Sequence, residues 1–352
     1  FGCYANRFYP LSLGGDPLAD YWHLRQKVML YDVPEKPLEI VGPDALELLE
    51  TIFTRKIGSL KIGRARYAIA CTPQGGILMD GVLIRLAADR FWYVQADGMF
   101  EPWLDAHAAG LNVTVRDPHS WVLQIQGPSS LNVLQAAIDG TPLDSFGYFH
   151  AGHFDFDGQS LLVTRTGWTG EMGIEIYSGP ETDHLALWDH LMQAGARYEL
   201  RFGSLASMGI RRIEAGILDN GTDIDMHLTP FEAGLGGFVN FKKESFIGRA
   251  ALLEADRRPL LLGVTSDTGV PQSGCRVYSA GHIVGKITAG DYSPTLEQGI
   301  GYVRFDAQAP ADESWLGRSL QLEDHQGDEH ACQVVPLPFY DKKKHIPKGM
   351  AE

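Results

Sequence analysis

The sequence predicts an α+β protein with a separate all-β unit at its C-terminal end. A strand, a Gly-Pro turn and a helix follow one another twice, around residues 42 and 127, which predicts two similar, interleaved α+β subdomains. From residue 258 the pattern changes to short strands separated by Gly, Asp and Pro turns, typical of a barrel or sandwich. Because 352 residues are too many for most single domains, we predict an α+β region at 1–255 and an all-β domain at 256–352.

The first subdomain is predicted to contain two helices and four strands. A helix is expected at 17–28, with Asp16 as its N-cap and proline at its first position. The segment LEIVGPDALELLETIF (38–53) predicts a strand, a turn and a helix capped by Asp44. The segment ARYAIACTPQGGILMDGVLIRLAADRFWYVQA (65–96) predicts three antiparallel strands joined by tight turns.

The second subdomain repeats this plan, and the all-β unit follows it. Helices are expected near 101–109 and 181–194, and WVLQIQGPSSLNVLQAA (121–137) predicts a strand, a Gly-Pro turn and a helix with a serine-rich cap. The strands of the C-terminal unit are predicted in five segments: LLLGVTSD, CRVYSAGHIVGKITAG, IGYVRF, SLQLED and HACQVVPLPF.

Charge and composition narrow the range of partners. Lys and Arg number 30 and Asp and Glu 44, so the formal charge is −14, which disfavours a protein that must neutralise phosphates of nucleic acid or of an acidic membrane. The sequence has no apolar run of about 18 residues, the length that spans a bilayer. We therefore predict no nucleic-acid or membrane partner, and the sequence shows no sign of an obligate protein partner. The four scattered cysteines predict a reducing, cytoplasmic location.

Common catalytic and metal-binding motifs are absent. The sequence contains no GxGxxG, P-loop, GxSxG or HExxH pattern, and its cysteines lack the spacing of zinc ligands. His150 and His153 could bind a metal, but the HAGH spacing includes no carboxylate, so we predict that they are structural or exposed. The sequence therefore predicts no metal site.

The segment TRTGWTGEMGIEIY (164–177) carries two glutamates in a glycine-rich setting. Glu171 lies in the turn, and Glu175 lies in the strand behind it. Because side chains alternate along a strand, Gly173, Glu175 and Tyr177 share one face. The carboxylate of Glu175 is either solvated surface or the acceptor for a ligand that offers two parallel N–H donors; the residues alone leave both open.

Several segments in a fixed order resemble the glycine-cleavage T-protein family of folate-dependent one-carbon transferases. They are TRTGWTGEMGIEIY, RIEAGILDNGTDIDMHLTPFEAGLGGFVNF and SFIGRAAL. The Gly-Gly turn at 75–76, the QIQGP at 124–128 and the closing VVPLPFYD also match. The resemblance covers nearly the whole chain.

This resemblance implies a three-lobed ring of two α+β lobes, with ferredoxin-like elements, and a C-terminal β-barrel around a central cavity that holds tetrahydrofolate. Glu175 matches the glutamate that binds the pterin, and a charged acceptor makes such hydrogen bonds strong. Glu171 is expected to organise the glycine turn. Guided by the resemblance, we assign Tyr67, Trp168 and Tyr177 to the cofactor site.

Two departures from the family pattern concern the reaction. Aminomethyltransferases carry two adjacent aspartates where this chain has Met79 and Asp80, and an arginine where it has Met208. A thioether can neither orient an amine nor hold a proton. YWHLRQKVMLYDVPEKPLEIVGPDA, LAADRFWYVQAD and Trp168 are more similar to the tetrahydrofolate-dependent demethylases, particularly dimethylsulfoniopropionate demethylase, although TGEMG is closer to the aminomethyltransferases.

The resemblance thus favours a demethylase that moves a methyl group from a small S-, O- or N-methylated donor, with a dimethylsulfoniopropionate-like donor favoured, to N5 of tetrahydrofolate. Asp80 and Tyr9 are the predicted catalytic groups, as acids for an O-methyl donor, and Tyr31 and Tyr4 are predicted to bind the donor. A sulfonium or ammonium donor needs an electron-rich aromatic pocket instead. Two alternatives stay open: an aminomethyltransferase, and a non-catalytic folate-binding module, whose cysteine signature is absent here.

Overall fold

The computed structural model describes residues 1–4, 7–95, 98–140, 142–307 and 314–350. The strands are β1 (Gly2–Tyr4), β2 (Arg7–Tyr9), β3 (Met29–Val33), β4 (Lys36–Val41), β5 (Arg64–Cys71), β6 (Ile77–Arg85), β7 (Arg90–Gln95), β8 (Thr114–Arg116), β9 (Trp121–Gln126), β10 (Ala151–Phe156), β11 (Gln159–Thr164), β12 (Gly173–Ser178), β13 (Arg201–Phe202), β14 (Leu261–Ser266), β15 (Arg276–Ser279), β16 (His282–Ser293), β17 (Gln298–Phe305), β18 (Ser319–Glu323) and β19 (Glu329–Val335). The helices are α1 (Pro17–Gln26), α2 (Ala45–Ile52), α3 (Phe100–His107), α4 (Ser130–Ala137), α5 (His184–Gly195), α6 (Leu205–Glu214), α7 (Arg249–Glu254) and α8 (His345–Lys348).

Two sheets and a barrel organise these elements. One sheet has the order β5-β6-β7-β4-β8, the other has the order β10-β11-β12-β9-β3-β13, and β14 to β19 close into a six-stranded barrel. The predicted α+β class with a C-terminal β-barrel is therefore confirmed. Strand β3 belongs to the six-stranded sheet, but β4, which follows after two residues, belongs to the five-stranded sheet. The chain thus crosses between the sheets at residues 34–35.

The predicted helix caps are only partly observed. The Asp16 carboxylate accepts a hydrogen bond from the Leu18 amide and caps α1. The predicted cap of α2 is wrong: Asp44 makes no cap bond, because its carboxylate instead accepts from the Asn112 amide at 2.7 Å. The serine-rich cap of α4 is also wrong, since Ser129 makes no side-chain cap bond.

A hydrophobic cluster lies between the two sheets and is called the central cluster below. Its buried members come from both sheets and from α1 and α6: Leu24, Met29, Tyr31, Val33, Ala65, Ile84, Val94, Val122, Leu162, Tyr177 and Met208. Because apolar surface stabilises the protein when it leaves water, this cluster holds the two sheets face to face. Within the described ranges, no helix is long and apolar enough to cross a bilayer.

Candidate functional site

Glu175 lies in the middle of β12 on the face that points to the central cluster. Its side chain is almost fully buried, with 4 % of the residue exposed. Four donors reach its carboxylate: Gln124 Nε2 at 3.0 Å on Oε1, and the hydroxyls of Thr164 at 3.2 Å, Thr166 at 2.7 Å and Tyr177 at 2.6 Å on Oε2. Glu175 is therefore not solvated surface but a rigidly held buried acceptor.

The strand register explains why these groups meet. Across four neighbouring strands, Tyr31 lies opposite Gln124, Gln124 opposite Glu175, and Glu175 opposite Thr164. Side chains directly opposite each other in a sheet share a face and lie about 4.5–5.5 Å apart. This row brings the predicted residues Tyr31 and Glu175 onto one surface and adds Gln124 and Thr164, which the sequence analysis did not single out.

A second carboxylate, Glu35, lies beside this row. It sits in the two-residue crossing between β3 and β4, and its Oε1 accepts from Gln124 Nε2 at 3.1 Å. Its Oε2 is buried without a hydrogen-bond partner among the described residues, and so is Gln124 Oε1. Burial, together with the charge of Glu175, raises the pKa of Glu35 well above its ordinary value. Burial also raises the pKa of Glu175, although its hydrogen bonds oppose this.

Sequence analysis missed Glu35. The residue follows Pro34 in a short segment without periodicity, so neither strand nor helix spacing identified its direction. The available signal was an acidic residue beside a proline, shortly before the strand predicted from Leu38.

A second polar group forms around Asp80 on β6. The Tyr67 hydroxyl on β5 donates to Asp80 Oδ2 at 2.7 Å, and Asn220 Nδ2 donates to Oδ1 at 3.0 Å. Burial raises the pKa of Asp80 and, with the charge of Asp80, raises the pKa of Tyr67 far above its usual range. The structure thus brings two predicted site residues together and adds Asn220.

The two methionines that replace family residues occupy different surroundings. Met79 packs into the core of the five-stranded lobe with Leu38, Phe53 and Tyr93, because neighbouring strand residues point to opposite faces. Our expectation that Met79 removes a catalytic group from the site therefore lacks support: the residue that points to the polar group is Asp80. Met208 on α6, in contrast, is a member of the central cluster.

The three predicted aromatic residues Tyr31, Trp168 and Tyr177 all contact the central cluster. Tyr31 is fully buried, and its hydroxyl lies 2.9 Å from the hydroxyl of Ser207. The guanidinium of Arg212 lies 5.1 Å from the centre of the Trp168 ring, so one face of this ring is covered. Their assignment to cofactor or donor stays a prediction.

Tyr4 and Tyr9 lie on the N-terminal hairpin, whose strands β1 and β2 pair with each other. Both side chains are partly exposed. Arg7 links this hairpin to the site: its Nη1 donates to the backbone oxygen of Glu35 at 2.9 Å, and its guanidinium lies 5.7 Å from the Trp121 ring centre. The hairpin therefore packs against the loop that carries Glu35, and the roles of its two tyrosines stay predictions.

Glu171 binds two arginines from different helices. Its Oε1 lies 2.5 Å from Arg25 Nη1 on α1 and 2.7 Å from Arg211 Nη2 on α6. The glutamate of the glycine turn thus ties this turn to both helices. In the part of the chain that the structure describes, no group of three or more His, Cys, Asp or Glu side chains could hold a metal ion.

Comparison with known proteins shows similarity along most of the chain. The family model "GCVT N-terminal domain" matches residues 8–243, and "Glycine cleavage T-protein C-terminal barrel domain" matches residues 258–341. The chain is 35% identical over 350 residues to an aminomethyltransferase of Streptomyces coelicolor, covering 95% of this chain and 92% of that protein. It is 32% identical over 350 residues to a trimethylamine-oxide aldolase of Ruegeria pomeroyi, covering 95% of this chain but 44% of that protein.

A solved structure is similar over nearly the same extent. The crystal structure of the glycine cleavage system aminomethyltransferase T from Bartonella henselae superposes with a TM-score of 0.84 at 28% sequence identity, covering 97% of this chain and 94% of that one.

Proposed function

Because the chain belongs to the glycine cleavage T-protein family of tetrahydrofolate-dependent one-carbon transferases, we propose that it is a demethylase within this family. In this proposal it moves a methyl group from a small S-, O- or N-methylated substrate to N5 of tetrahydrofolate, and a dimethylsulfoniopropionate-like sulfonium is the favoured donor. The product is 5-methyltetrahydrofolate.

The residues around Glu175 fit a reduced pterin. The amino-pyrimidine edge of a pterin offers N–H donors, and the side chains around Glu175 offer acceptors: the two carboxylates and the oxygens Glu35 Oε2 and Gln124 Oε1, which have no partner among the described residues. Buried acceptors without partners are uncommon in folded proteins. We infer that a bound pterin supplies the missing donors, with Glu175 as its principal acceptor.

Asp80 is proposed to handle the proton. When bound, tetrahydrofolate supplies N5 as the methyl acceptor, and a proton must leave as the new N–C bond forms and the donor's C–S, C–N or C–O bond breaks. Asp80 is buried, has a raised pKa and is oriented by Tyr67 and Asn220. A carboxyl group of this kind can accept or hold a proton near neutral pH.

The observation that carries the demethylase proposal is Met208 in the central cluster. The family's arginine at this position would repel a sulfonium or ammonium, whereas methionine beside Tyr31, Tyr177 and Trp168 leaves an aromatic, uncharged wall. Aromatic faces attract cations. Arg212 near Trp168 is neutralised by Asp223 at 2.5 Å, so it does not oppose a cationic donor. A sulfonium or ammonium also has a neutral leaving group and needs no acid.

A second candidate function is aminomethyl transfer. Two observations favour it. Asp80 retains the second aspartate of the family's pair and is held by the Tyr67 hydroxyl, and similar proteins are named aminomethyltransferase. In that case the donor is an aminomethyl group on a carrier protein, and ammonia is released.

The deciding experiment incubates the protein with tetrahydrofolate and single donors: dimethylsulfoniopropionate, a dimethylated amino acid, trimethylamine oxide, a methoxy-aromatic acid or an aminomethylated lipoyl carrier. Mass spectrometry of the folate pool distinguishes the outcomes. Accumulation of 5-methyltetrahydrofolate with a methylated donor supports the demethylase. Methylenetetrahydrofolate with ammonia, formed only from the lipoyl carrier, supports aminomethyl transfer and overturns the first proposal.

The Met208→Arg variant tests directly whether an uncharged side chain at position 208 is needed for a cationic donor. We expect this variant to lose activity with cationic donors and to bind tetrahydrofolate as before, while Met208→Leu, which keeps an uncharged side chain of similar volume, retains activity. Equal activity of the arginine variant with a sulfonium donor would contradict the role given to Met208.

A further inference from the structure

We propose that Glu35 is a second pterin-binding carboxylate, whose free oxygen accepts one N–H of the amino-pyrimidine edge beside the one accepted at Glu175. This inference rests on the proposed function, because it names a further residue of the same folate site. It follows from the position of Glu35, from the small remaining acceptor capacity of Glu175 and from the charge balance of the pair.

The capacity of Glu175 is nearly used by the protein itself. Its Oε2 accepts from three hydroxyls, and its Oε1 accepts from Gln124 Nε2. A carboxylate has about four lone-pair positions. Oε1 therefore retains room for one more donor, and a ligand edge with two or more N–H groups needs another acceptor close by.

Glu35 provides this acceptor at the right place. The same amide nitrogen, Gln124 Nε2, lies 3.1 Å from Glu35 Oε1 and 3.0 Å from Glu175 Oε1. The two carboxylates therefore flank one amide group, and the free atoms Glu35 Oε2 and Gln124 Oε1 belong to the same cluster.

The backbone holds Glu35 in this position. Pro34 precedes it, β4 begins at the next residue, and Lys36 is anchored to Asp117 at 3.2 Å. Arg7 of the hairpin donates to the Glu35 backbone oxygen at 2.9 Å. Glu35 is thus fixed from both sides at the one crossing from β3 to β4, where a side chain can reach the space between the two sheets.

Charge supports the assignment. Among the described residues, neither Glu35 nor Glu175 forms an ion pair, and the titratable groups around them are Tyr177 on β12 and Tyr148 before β10. Burial, and after it the charge of Glu175, raises the pKa of Tyr148 to about 12, so this tyrosine stays neutral. Within the part of the chain that the structure describes, Arg7 binds the Glu35 backbone oxygen and not its carboxylate.

Burial raises the pKa of both carboxyl groups, and the charge of Glu175 raises that of Glu35 further. In this proposal the pair therefore holds a proton before the ligand binds. Neutral N–H donors favour the ionised forms. Pterin binding at both carboxylates therefore transfers this proton to the buffer, and proton release becomes a measurable sign of the two-carboxylate site.

The test is calorimetry of tetrahydrofolate binding to the intact protein and to Glu35→Gln, in buffers of different ionisation enthalpy. We expect the variant to bind roughly 10- to 100-fold more weakly, as for the loss of one hydrogen bond to a charged group, and to release less proton. A reduced folate whose 2-amino group is replaced by methyl should lose affinity for the wild type but show little further loss with Glu35→Gln. Glu199→Gln, at an exposed ion pair with Lys27, is the matched control.

The outcomes separate the two proposals. If the wild type binds no reduced folate, the proposed function fails. If Glu175→Gln loses binding while Glu35→Gln keeps wild-type affinity and proton release, the function stands and the role of Glu35 is overturned. A Glu35→Gln variant that loses both folates equally and melts at lower temperature has a structural defect, and this result also overturns the assignment.

Discussion

At the residue scale, the candidate site rests on two buried carboxyl groups, Glu175 and Asp80, with different surroundings. Glu175 accepts from four donors, on β9, on β11, in the turn after β11 and on β12 itself, and acts as a fixed acceptor. Asp80 has two donors and a pKa raised chiefly by burial. Burial raises the pKa of both carboxyl groups, so the difference lies in their donors: a carboxylate held by four donors suits binding, whereas one held by two keeps room to take up a proton. The two residues should therefore respond differently to substitution.

Glu175→Gln should weaken tetrahydrofolate binding by about 2–4 kcal/mol, because it replaces a charged acceptor of a desolvated site by a neutral amide. Calorimetry on the purified protein measures this loss. Glu199→Gln should bind as the wild type. Unchanged affinity in the Glu175 variant would refute the pterin-binding role.

Asp80→Asn should lower kcat by roughly 10²–10⁴-fold, the usual contribution of a general acid or base, and leave tetrahydrofolate affinity nearly unchanged. Single-turnover kinetics, with a donor that yields 5-methyltetrahydrofolate in the incubation experiment, measures the chemical step. A fall in affinity without a fall in kcat would instead assign Asp80 to binding.

The same variant should change how stability depends on pH. Because burial raises the pKa of Asp80 in the folded protein, the proton on Asp80 binds the folded state more tightly than the unfolded state and stabilises it. This stabilisation is complete below the ordinary carboxyl pKa of about 4 and is lost as the pH rises through the raised pKa. The wild type should therefore lose stability relative to Asp80→Asn over this window. Melting temperatures at successive pH values test this, and a constant difference between the two proteins would be the contrary result.

At the element scale, the two Gly-Pro turns share one physical requirement. Gly42 has φ +143° and Gly127 has φ +122°, and a Cβ at these positions would lie 2.4 Å from the Asn112 oxygen and 2.6 Å from the Lys27 oxygen. Each turn thus lets a neighbouring backbone segment approach the strand end directly. The repeated pattern in the sequence reflects this close approach, which only glycine permits.

Gly127→Ala should destabilise the protein by at least about 2 kcal/mol, because it combines an unfavourable φ with a backbone clash. Urea unfolding measures the change. Gly179→Ala is the matched control, since nothing lies within 4 Å of its added Cβ and its effect should stay within about 0.5 kcal/mol. Similar stabilities of the two variants would show that the turn can relax.

At the scale of the whole molecule, Glu214 joins the helices to the barrel. Its fully buried carboxylate accepts from Tyr21 on α1 at 2.8 and 3.0 Å, from Ser293 on β16 at 2.5 Å and from Tyr340 near the C-terminus at 3.2 Å, and it pairs with Arg211. Four segments that are distant in sequence therefore depend on one carboxylate.

Glu214→Ala should cost about 3 kcal/mol of unfolding free energy, the lower end for a broken buried ion pair, because Arg211 keeps Glu171 as a partner. Chemical denaturation followed by tryptophan fluorescence measures it. Glu199→Ala, which removes an exposed partner of Lys27, should unfold like the wild type. A Glu214 variant as stable as this control would show that the barrel is held by other contacts.

The sequence by itself determined the fold class and the order of most elements, and it singled out Glu175, whose role in binding stays a prediction. Alternation along β12 set the face shared by Glu175 and Tyr177, and the turn residues marked the strand ends, because backbone geometry imposes a period of two and specific turn chemistry. The predicted division at 255 stays a prediction, although the observed barrel strands begin at Leu261.

Only the tertiary structure decided which distant groups meet. Glu35 and Gln124 are 89 positions apart, and Asp80 and Asn220 are 140 positions apart; no local pattern specifies such contacts. The same limit explains two wrong or unsupported expectations. Met79 points into the core while its neighbour Asp80 points to the polar group, and the Asp44 carboxylate accepts from the distant Asn112 amide instead of capping α2. Local propensities determine where strands and turns form and which side chains share a face of one strand. The packing of two sheets and a barrel determines which side chains from distant segments share a buried space.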